Sequence, residues 1–249
     1  MDRLTVQHNI ANFVPSDKTR PLLDDGSGKF NLLLFTETIF VMVIAIGAIK
    51  VFGGNSTLIP AWLIAPGILI VAALLPTAIK RYGFQQLGFN IDNLKDSLAV
   101  LGWTCITIFP LVFCFLWLQE SFGADLPLWP VLPTGQYWIY WFLYQFLYVA
   151  LAEEVFFRGY LQGNIQRLTK PIMGQWTRRQ QWMTVGLSAA CFAIAHIIVQ
   201  GHIVSALTFL PGLVLGWLFI RTKSLLAPIL FHGLANAFYL AMSVMFIQA

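Results

Sequence analysis

Side chains that can carry out hydrolysis occur inside three strongly apolar stretches of this chain: ALAEEVFFRGYLQ, SAACFAIAHII and PILFHGLANAF. Water-mediated amide hydrolysis needs a carboxylate that activates water, an imidazole that helps to move protons, and donors for the developing oxyanion. Each of these groups is present. The residues concerned are Glu153, Glu154, Arg158, His196, His232 and Asn236. Their types predict a hydrolytic site, provided that the fold brings the three stretches together.

The first stretch contains two adjacent carboxylates, and only one of them has an arginine at helical spacing. Glu154 and Arg158 are four residues apart on one helical face, with the acid on the N-terminal side, so Arg158 is expected to neutralise Glu154. Glu153 lies about 100° around the helix and lacks that partner. Glu153 is therefore the better candidate for a general base. The alternative for the other two residues is an ordinary ion pair at a helix end, near the membrane interface.

The two histidine-containing stretches place further polar groups at a similar depth. His232 and Asn236 share one helical face, and His196 lies in another helix. Counted at 1.5 Å per residue, Glu153 and His196 lie ~20 Å from the cytoplasmic ends of their helices, and the other pair roughly 10 to 20 Å from theirs. His196 alone is equally compatible with packing, and the pair with hydrogen bonding between helices. The common depth favours one site.

The elements that must position these residues are membrane helices. Apolar residues make up 58% of the 249 residues and charged residues only 10%, whereas soluble domains have about 25% charged residues. Apolar runs of spanning length occupy roughly 31 to 52, 59 to 79, 98 to 118, 136 to 157, 184 to 200, 203 to 220 and 225 to 247. The sequence therefore predicts an all-α, polytopic transmembrane helical bundle of seven to eight spans, with the eighth arising either from a misread boundary or from a short or re-entrant helix in the joint from 158 to 183.

Charge distribution predicts the topology and the domain organisation. Residues 1–30 carry charges throughout and are expected to form a cytoplasmic N-terminal tail, followed by a membrane domain over 31–249. With that tail inside, all 15 Lys and Arg residues except Lys50 fall on the cytoplasmic side. No basic stretch with interleaved aromatics stands apart from the spans, so nucleic acid is excluded as a partner.

The ordered motifs resemble those of a known family. Glu153, Glu154 and Arg158 match EExxxR, Phe192 and His196 match FxxxH, and His232 with Asn236 matches HxxxN, in the family's order. Over roughly residues 80 to 245 the chain resembles the CAAX prenyl protease and bacteriocin-processing family (CPBP or Abi) of intramembrane endopeptidases.

The resemblance implies a glutamic intramembrane protease domain within 31–249. Glu153 would be the general base, His196 would assist the water, His232 and Asn236 would stabilise the oxyanion, and Glu154 and Arg158 would support the site. No cofactor is implied. Zinc held by Glu153, His196 and His232 is the alternative, which the lack of an HExxH motif weakens.

The expected partners are the lipid bilayer and a protein or peptide with a membrane-associated C-terminal segment. The expected location is a bacterial inner (cytoplasmic) membrane, with several spans. Two other functions stay open. One is a small transporter, although the chain lacks the internal duplication that transporters commonly show. The other is a catalytically silent membrane adaptor or immunity protein. The sequence leaves the scissile bond and the oligomeric state undetermined.

Overall fold

The computed structural model describes residues 31–53, 61–81, 83–90, 94–124, 128, 138–169 and 176–247. Helices make up nearly all of this part of the chain, and it contains no β-strand. The prediction of an all-helical fold is therefore confirmed. The tail predicted for residues 1–30 lies outside the described residues.

Seven long helical elements follow one another along the described chain. Six of them are α1 (Leu32–Phe52), α2 (Ala61–Ile79), α3 (Leu94–Ser121), α5 (Arg178–Gln200), α6 (a 3₁₀ turn Ile203–Thr208 that runs into Phe209–Thr222) and α7 (Leu226–Ile247). The fourth, α4, is continuous over 138–169 and consists of Trp138–Tyr144, Gln145–Ala150, Leu151–Glu154, Val155–Gln162 and Gly163–Thr169. A short 3₁₀ helix, Phe84–Leu87, lies between α2 and α3.

Five helices within the described residues are long and apolar enough to cross a membrane: α1, α3, α5, α6 and α7. The chain is therefore a multi-pass membrane protein. The count of seven to eight spans and the cytoplasmic N-terminus stay predictions. In the joint from 158 to 183, the described residues belong to α4, which ends at Thr169, to α5, which begins at Arg178, and to the turn just before α5.

Local sequence explains where two of the helices begin and end. Asn31 caps α1, because its side-chain oxygen accepts a hydrogen bond from the Leu34 backbone N–H at 2.9 Å. Thr177 and Gln180 form a reciprocal capping box at the start of α5. Gly201 ends that helix with a φ of 77°, a conformation that glycine adopts without steric cost.

Helix α4 is the centre of the bundle. It packs against α1, α2, α5, α6 and α7, and every residue from Glu154 to Gln162 is buried. Two stretches of α4, Gln145–Ala150 and Val155–Gln162, are π-helical. Such segments are rare and frequently occur at functional sites.

Polar side chains hold the second π-helical stretch against its neighbours. Ser188 of α5 donates to the Phe157 carbonyl at 3.1 Å, and Gln162 donates to the Gly216 carbonyl of α6 at 3.0 Å. Close approach there depends on small residues: a Cβ added to Gly212 would lie 3.2 Å from the backbone of Ala189.

The outer surface of the bundle is apolar. In α3, for example, Trp103 is 72% exposed, Ile106 68% and Leu111 62%. Exposed apolar area on this scale fits contact with lipid tails.

Candidate active site

Three helices bring together the residues that the sequence singled out. The Glu153 carboxylate of α4 lies between two imidazoles, and its Oε2 atom is 3.8 Å from Nε2 of His196 in α5 and 3.8 Å from Nε2 of His232 in α7. These residues are far apart in the sequence. Only the packing of α5 and α7 against α4 makes them neighbours.

Glu154 faces the interior and joins two partners. One of its oxygens is 2.8 Å from Nδ1 of His232, and the other is 3.2 Å from Nε of Arg158. Both Glu154 and Arg158 are completely buried. An interfacial ion pair at a helix end is therefore the wrong interpretation. The pair is an internal one that also fixes the orientation of His232.

Arg158 is held by weak contacts on its remaining sides. Its Nη2 lies 3.5 Å from the Gly212 carbonyl, and its guanidinium carbon lies 4.7 Å from the centre of the Phe192 ring. Its Nε is close enough to Glu154 for an ion pair, but neither Nε nor Nη1 has a hydrogen bond of good geometry. Arg158 therefore acts mainly through its charge.

The partners of the two Nδ1 atoms fix the histidine tautomers. Nδ1 of His196 lies 2.9 Å from the Phe192 carbonyl, which can only accept, so this nitrogen carries the hydrogen. Nδ1 of His232 likewise donates to the Glu154 carboxylate. The Nε2 atoms of both rings are then the ones that face Glu153. Both imidazoles turn their reactive nitrogen to the same carboxylate oxygen.

Phe192, one turn before His196, contacts both imidazoles of the site. Its carbonyl orients His196, its ring lies 4.3 Å from the His196 ring, and it meets the His232 ring edge-on at 6.1 Å. Phe157 packs edge-on against the Phe192 ring, and the two ring centres are 5.0 Å apart. The rings of Phe157 and Phe192 therefore give the two histidines an apolar surrounding on this side. Such a surrounding strengthens electrostatic interactions between nearby charged groups.

Asn236 lies one turn beyond His232 on the same helix. Its amide nitrogen donates to the side-chain oxygen of Gln145 in α4 at 2.8 Å. The sequence reasoning missed Gln145. The available signal was a lone amide within the apolar run YWFLYQFLYV, eight residues before Glu153.

The site has an accessible side and a closed side. The side chains of Glu153 and His196 are each 18% exposed, and His232 is nearly buried. Glu154 and Arg158 are inaccessible. Glu153 and His196 are therefore the more accessible side chains of the site, while the Oε2 atom of Glu153 is itself buried and has no hydrogen-bond partner.

The zinc alternative would use Glu153, His196 and His232. Within the described part of the chain, no group of three or more His, Cys, Asp or Glu side chains has an arrangement that could hold a metal ion. Both Nδ1 atoms are already engaged by protein acceptors, which leaves the two Nε2 atoms and the Glu153 carboxylate as the possible ligands.

A second polar cluster, which the sequence reasoning also missed, lies near the other end of α4. The Lys80 ammonium is 2.7 Å from Glu37, and Tyr160 donates to the same carboxylate at 3.4 Å. Asn164 donates to Thr38 at 3.2 Å. These contacts tie α1 and the end of α2 to α4, so the cluster supports the central helix.

Comparison with known proteins identifies a related family. Residues 135–238 match the model of the type II CAAX prenyl endopeptidase Rce1-like family. No curated protein and no solved structure matches the chain. The matched segment includes α4, α5, α6 and the first part of α7, and it contains every site residue that the sequence predicted. Residues 135–238 are therefore a domain of the CAAX prenyl protease family, the family that the ordered motifs resembled.

Proposed function

We propose that this protein is a glutamic intramembrane endopeptidase that hydrolyses a peptide bond near the C-terminus of a membrane-associated or lipidated protein. The observation that supports this proposal best is the position of Glu153, whose Oε2 atom faces Nε2 of both His196 and His232 at 3.8 Å. A water molecule that lay beside these atoms, within hydrogen-bond distance of Glu153 and of His196, would be in contact with a base and a proton acceptor at once.

The charges of the buried groups indicate which of them carries a proton before the reaction. Two carboxylates and one guanidinium give the cluster a charge of minus one, and an uncompensated charge is costly at membrane depth. One added proton makes the cluster neutral. His232 is the ring that holds it best, because Glu154 contacts its Nδ1 and Glu153 faces its Nε2. Nδ1 of His196 donates to the Phe192 carbonyl, so in the neutral ring the free electron pair is on Nε2.

The reaction then follows from these protonation states. Nε2 of His196 accepts one hydrogen of the water, and Glu153 removes the other proton as the oxygen attacks the scissile carbonyl carbon. The Nε2–H of His232 and the amide of Asn236 donate to the resulting oxyanion. Glu153 delivers its proton to the leaving nitrogen, and the C–N bond breaks as the oxyanion re-forms the carbonyl. The products are a carboxylic acid and an amine, and the acid then gives up its remaining proton to become a carboxylate.

The reaction can be tested with purified protein in liposomes. The substrates would be fluorescence-quenched C-terminal peptides ending in CAAX sequences, each with and without a prenyl group on the cysteine. We expect cleavage by the wild type, identified by mass spectrometry, and at least about a thousandfold loss with Glu153→Gln, because the amide cannot take a proton. Wild-type rates for Glu153→Gln would eliminate Glu153 as the base, and no cleavage of any peptide by the wild type would favour the silent adaptor.

Zinc is a second candidate for activating the water, favoured by the two Nε2 atoms that face one carboxylate. Incubation with a strong chelator separates the two mechanisms. Under the metal-free mechanism, cleavage persists at the original rate after thorough metal removal. Loss of activity that returns on addition of zinc would assign the metal mechanism instead.

The proposed setting is a bacterial inner membrane, with the N-terminus in the cytoplasm and seven to eight spans. The proposed partners are the bilayer and the C-terminal segment of the substrate, without nucleic acid. The positive charges on the predicted cytoplasmic joints support this orientation. The lipid-facing apolar surface of α1 and α3 supports the membrane location.

A further inference from the structure

The contact between Gln145 and Asn236 joins two helices beside the site. Asn236 of α7 donates from Nδ2 to Oε1 of Gln145 in α4 at 2.8 Å, across 91 residues of sequence. Both side chains are partly buried. An amide in an apolar setting is costly unless it is hydrogen-bonded, so each group stabilises the other.

The backbone around this contact is fixed from both sides. Tyr148, one turn after Gln145, donates to the Leu63 carbonyl of α2 at 2.8 Å. Gly233 lies between His232 and Asn236 in α7, and any side chain there would collide with the Phe146 ring. The absence of a side chain at Gly233 therefore lets α7 approach α4 at this level. The two amides meet because their helices are held together here.

The planarity of the amide makes the contact chemically important. When the Gln145 oxygen accepts one N–H of Asn236, the second N–H of the same group is held in a defined direction. Donors that are oriented before the reaction stabilise an oxyanion without reorganisation during it. Without Gln145, the Asn236 amide could rotate and present its oxygen, which would repel the oxyanion.

We infer that Gln145 is a positioning residue that orients the Asn236 amide for oxyanion stabilisation. This inference rests on the proposed function, because it assumes that Asn236 donates to the oxyanion. Gln145 itself need not touch the substrate. It acts through Asn236 alone.

A double-mutant cycle tests this dependence. We would measure kcat and KM for the wild type, Gln145→Leu, Asn236→Ala and the double variant with one cleavable peptide. We expect Gln145→Leu to lower kcat about ten- to a hundredfold and to leave KM within about twofold of the wild type. The reason is that a misplaced Asn236 donor weakens stabilisation of the transition state much more than binding of the substrate. In the Asn236→Ala background, the same change should have almost no further effect on kcat.

Thermal unfolding of the same four proteins tests the contact independently of activity. The two changes should be coupled in their effect on melting temperature. Gln162→Leu is the matched control, because it removes a buried amide from the same helix that bonds to Gly216. Its effect on melting temperature should simply add to that of Asn236→Ala.

Each outcome has a distinct meaning. Equal fold losses of kcat from Gln145→Leu with and without Asn236 would overturn the inference while leaving the proposed function intact. Additive melting shifts for Gln145→Leu and Asn236→Ala would show that the contact is absent, and would overturn it as well. Failure of the wild type to cleave would reject the proposed function, and with it the positioning role of Gln145. This holds even if the two substitutions are coupled in their effect on melting temperature.

Discussion

At the scale of single residues, two adjacent glutamates occupy opposite environments. Glu154 is completely buried between Arg158 and His232. Glu153, one position earlier, is 18% exposed and has two imidazoles but no guanidinium next to it. Adjacent helical positions point about 100° apart, so the Glu153 carboxylate faces His196 and His232 on the more accessible side, and the Glu154 carboxylate faces the interior.

The two positions should therefore respond differently to the same substitution. Glu154→Gln leaves the Arg158 charge buried without a counter-charge, which typically costs about 3 to 5 kcal/mol. Glu153→Gln removes no ion pair with arginine and should change stability by less than about 1 kcal/mol. We expect Glu154→Gln to lower the melting temperature in detergent clearly, and Glu153→Gln to melt close to the wild type while losing activity. Equal melting temperatures for the two variants would contradict the assigned environments.

Sequence reasoning singled out residues that the fold brings together, but not all of their partners. The spacing of Glu154 and Arg158 predicts their ion pair directly, because both lie on one helix. The hydrogen bond from His232 to Glu154 joins α7 to α4, and spacing within one helix carries no information about it. Gln145 was missed for the same reason, since its importance depends on the approach of Gly233 to Phe146.

At the scale of secondary structure, the fourth helix differs from the regular helix that the sequence suggested. It is continuous up to Thr169, well beyond Glu153. Its two π-helical stretches were not foreseen, because a π turn contains more residues than an α turn and has no simple sequence pattern. Each stretch changes which residues share a face. The Glu154–Arg158 pair nevertheless forms across the boundary of the second stretch.

The second π-helical stretch also depends on a close contact at Gly159. A Cβ added there would lie 2.8 Å from the Leu87 carbonyl oxygen, which is backbone and cannot easily move. We expect Gly159→Ala to destabilise the protein by about 1 to 3 kcal/mol, because the 3₁₀ segment must separate from α4. The same segment accepts a hydrogen bond from Leu225 at Gly88, so the start of α7 should shift and activity should fall.

Gly102→Ala is the control for this prediction. Gly102 is also helical, and an added Cβ there meets nothing within 4 Å. Because alanine is the better helix former, this change should leave stability equal or raise it by up to about 1 kcal/mol. Thermal unfolding of both variants measures the difference. A Gly159→Ala variant as stable as Gly102→Ala would show that the 3₁₀ segment does not pack tightly on α4.

At the scale of the whole molecule, the polar groups at depth lie inside an apolar shell. The cluster around Glu153 lies between α4, α5 and α7, and the Glu37–Lys80 cluster ties α1 and α2 to the predicted cytoplasmic end of α4. Composition predicts the shell, because long apolar runs can only be membrane helices at this length. It could not predict the second cluster, whose members come from separate helices without a recognisable motif.

The orientation of the molecule in the bilayer gives the last prediction. Lys and Arg are absent from the loop that follows α3 and frequent in the joint before α5, so the positive-inside rule places Ser121 outside and Arg179 inside. Both residues are exposed at helix ends. In a variant without the native cysteines, a membrane-impermeant maleimide should label Ser121→Cys in intact cells, and Arg179→Cys only after permeabilisation. The reverse pattern would invert the topology, and would place the C-terminal end of α4 outside instead of in the cytoplasm.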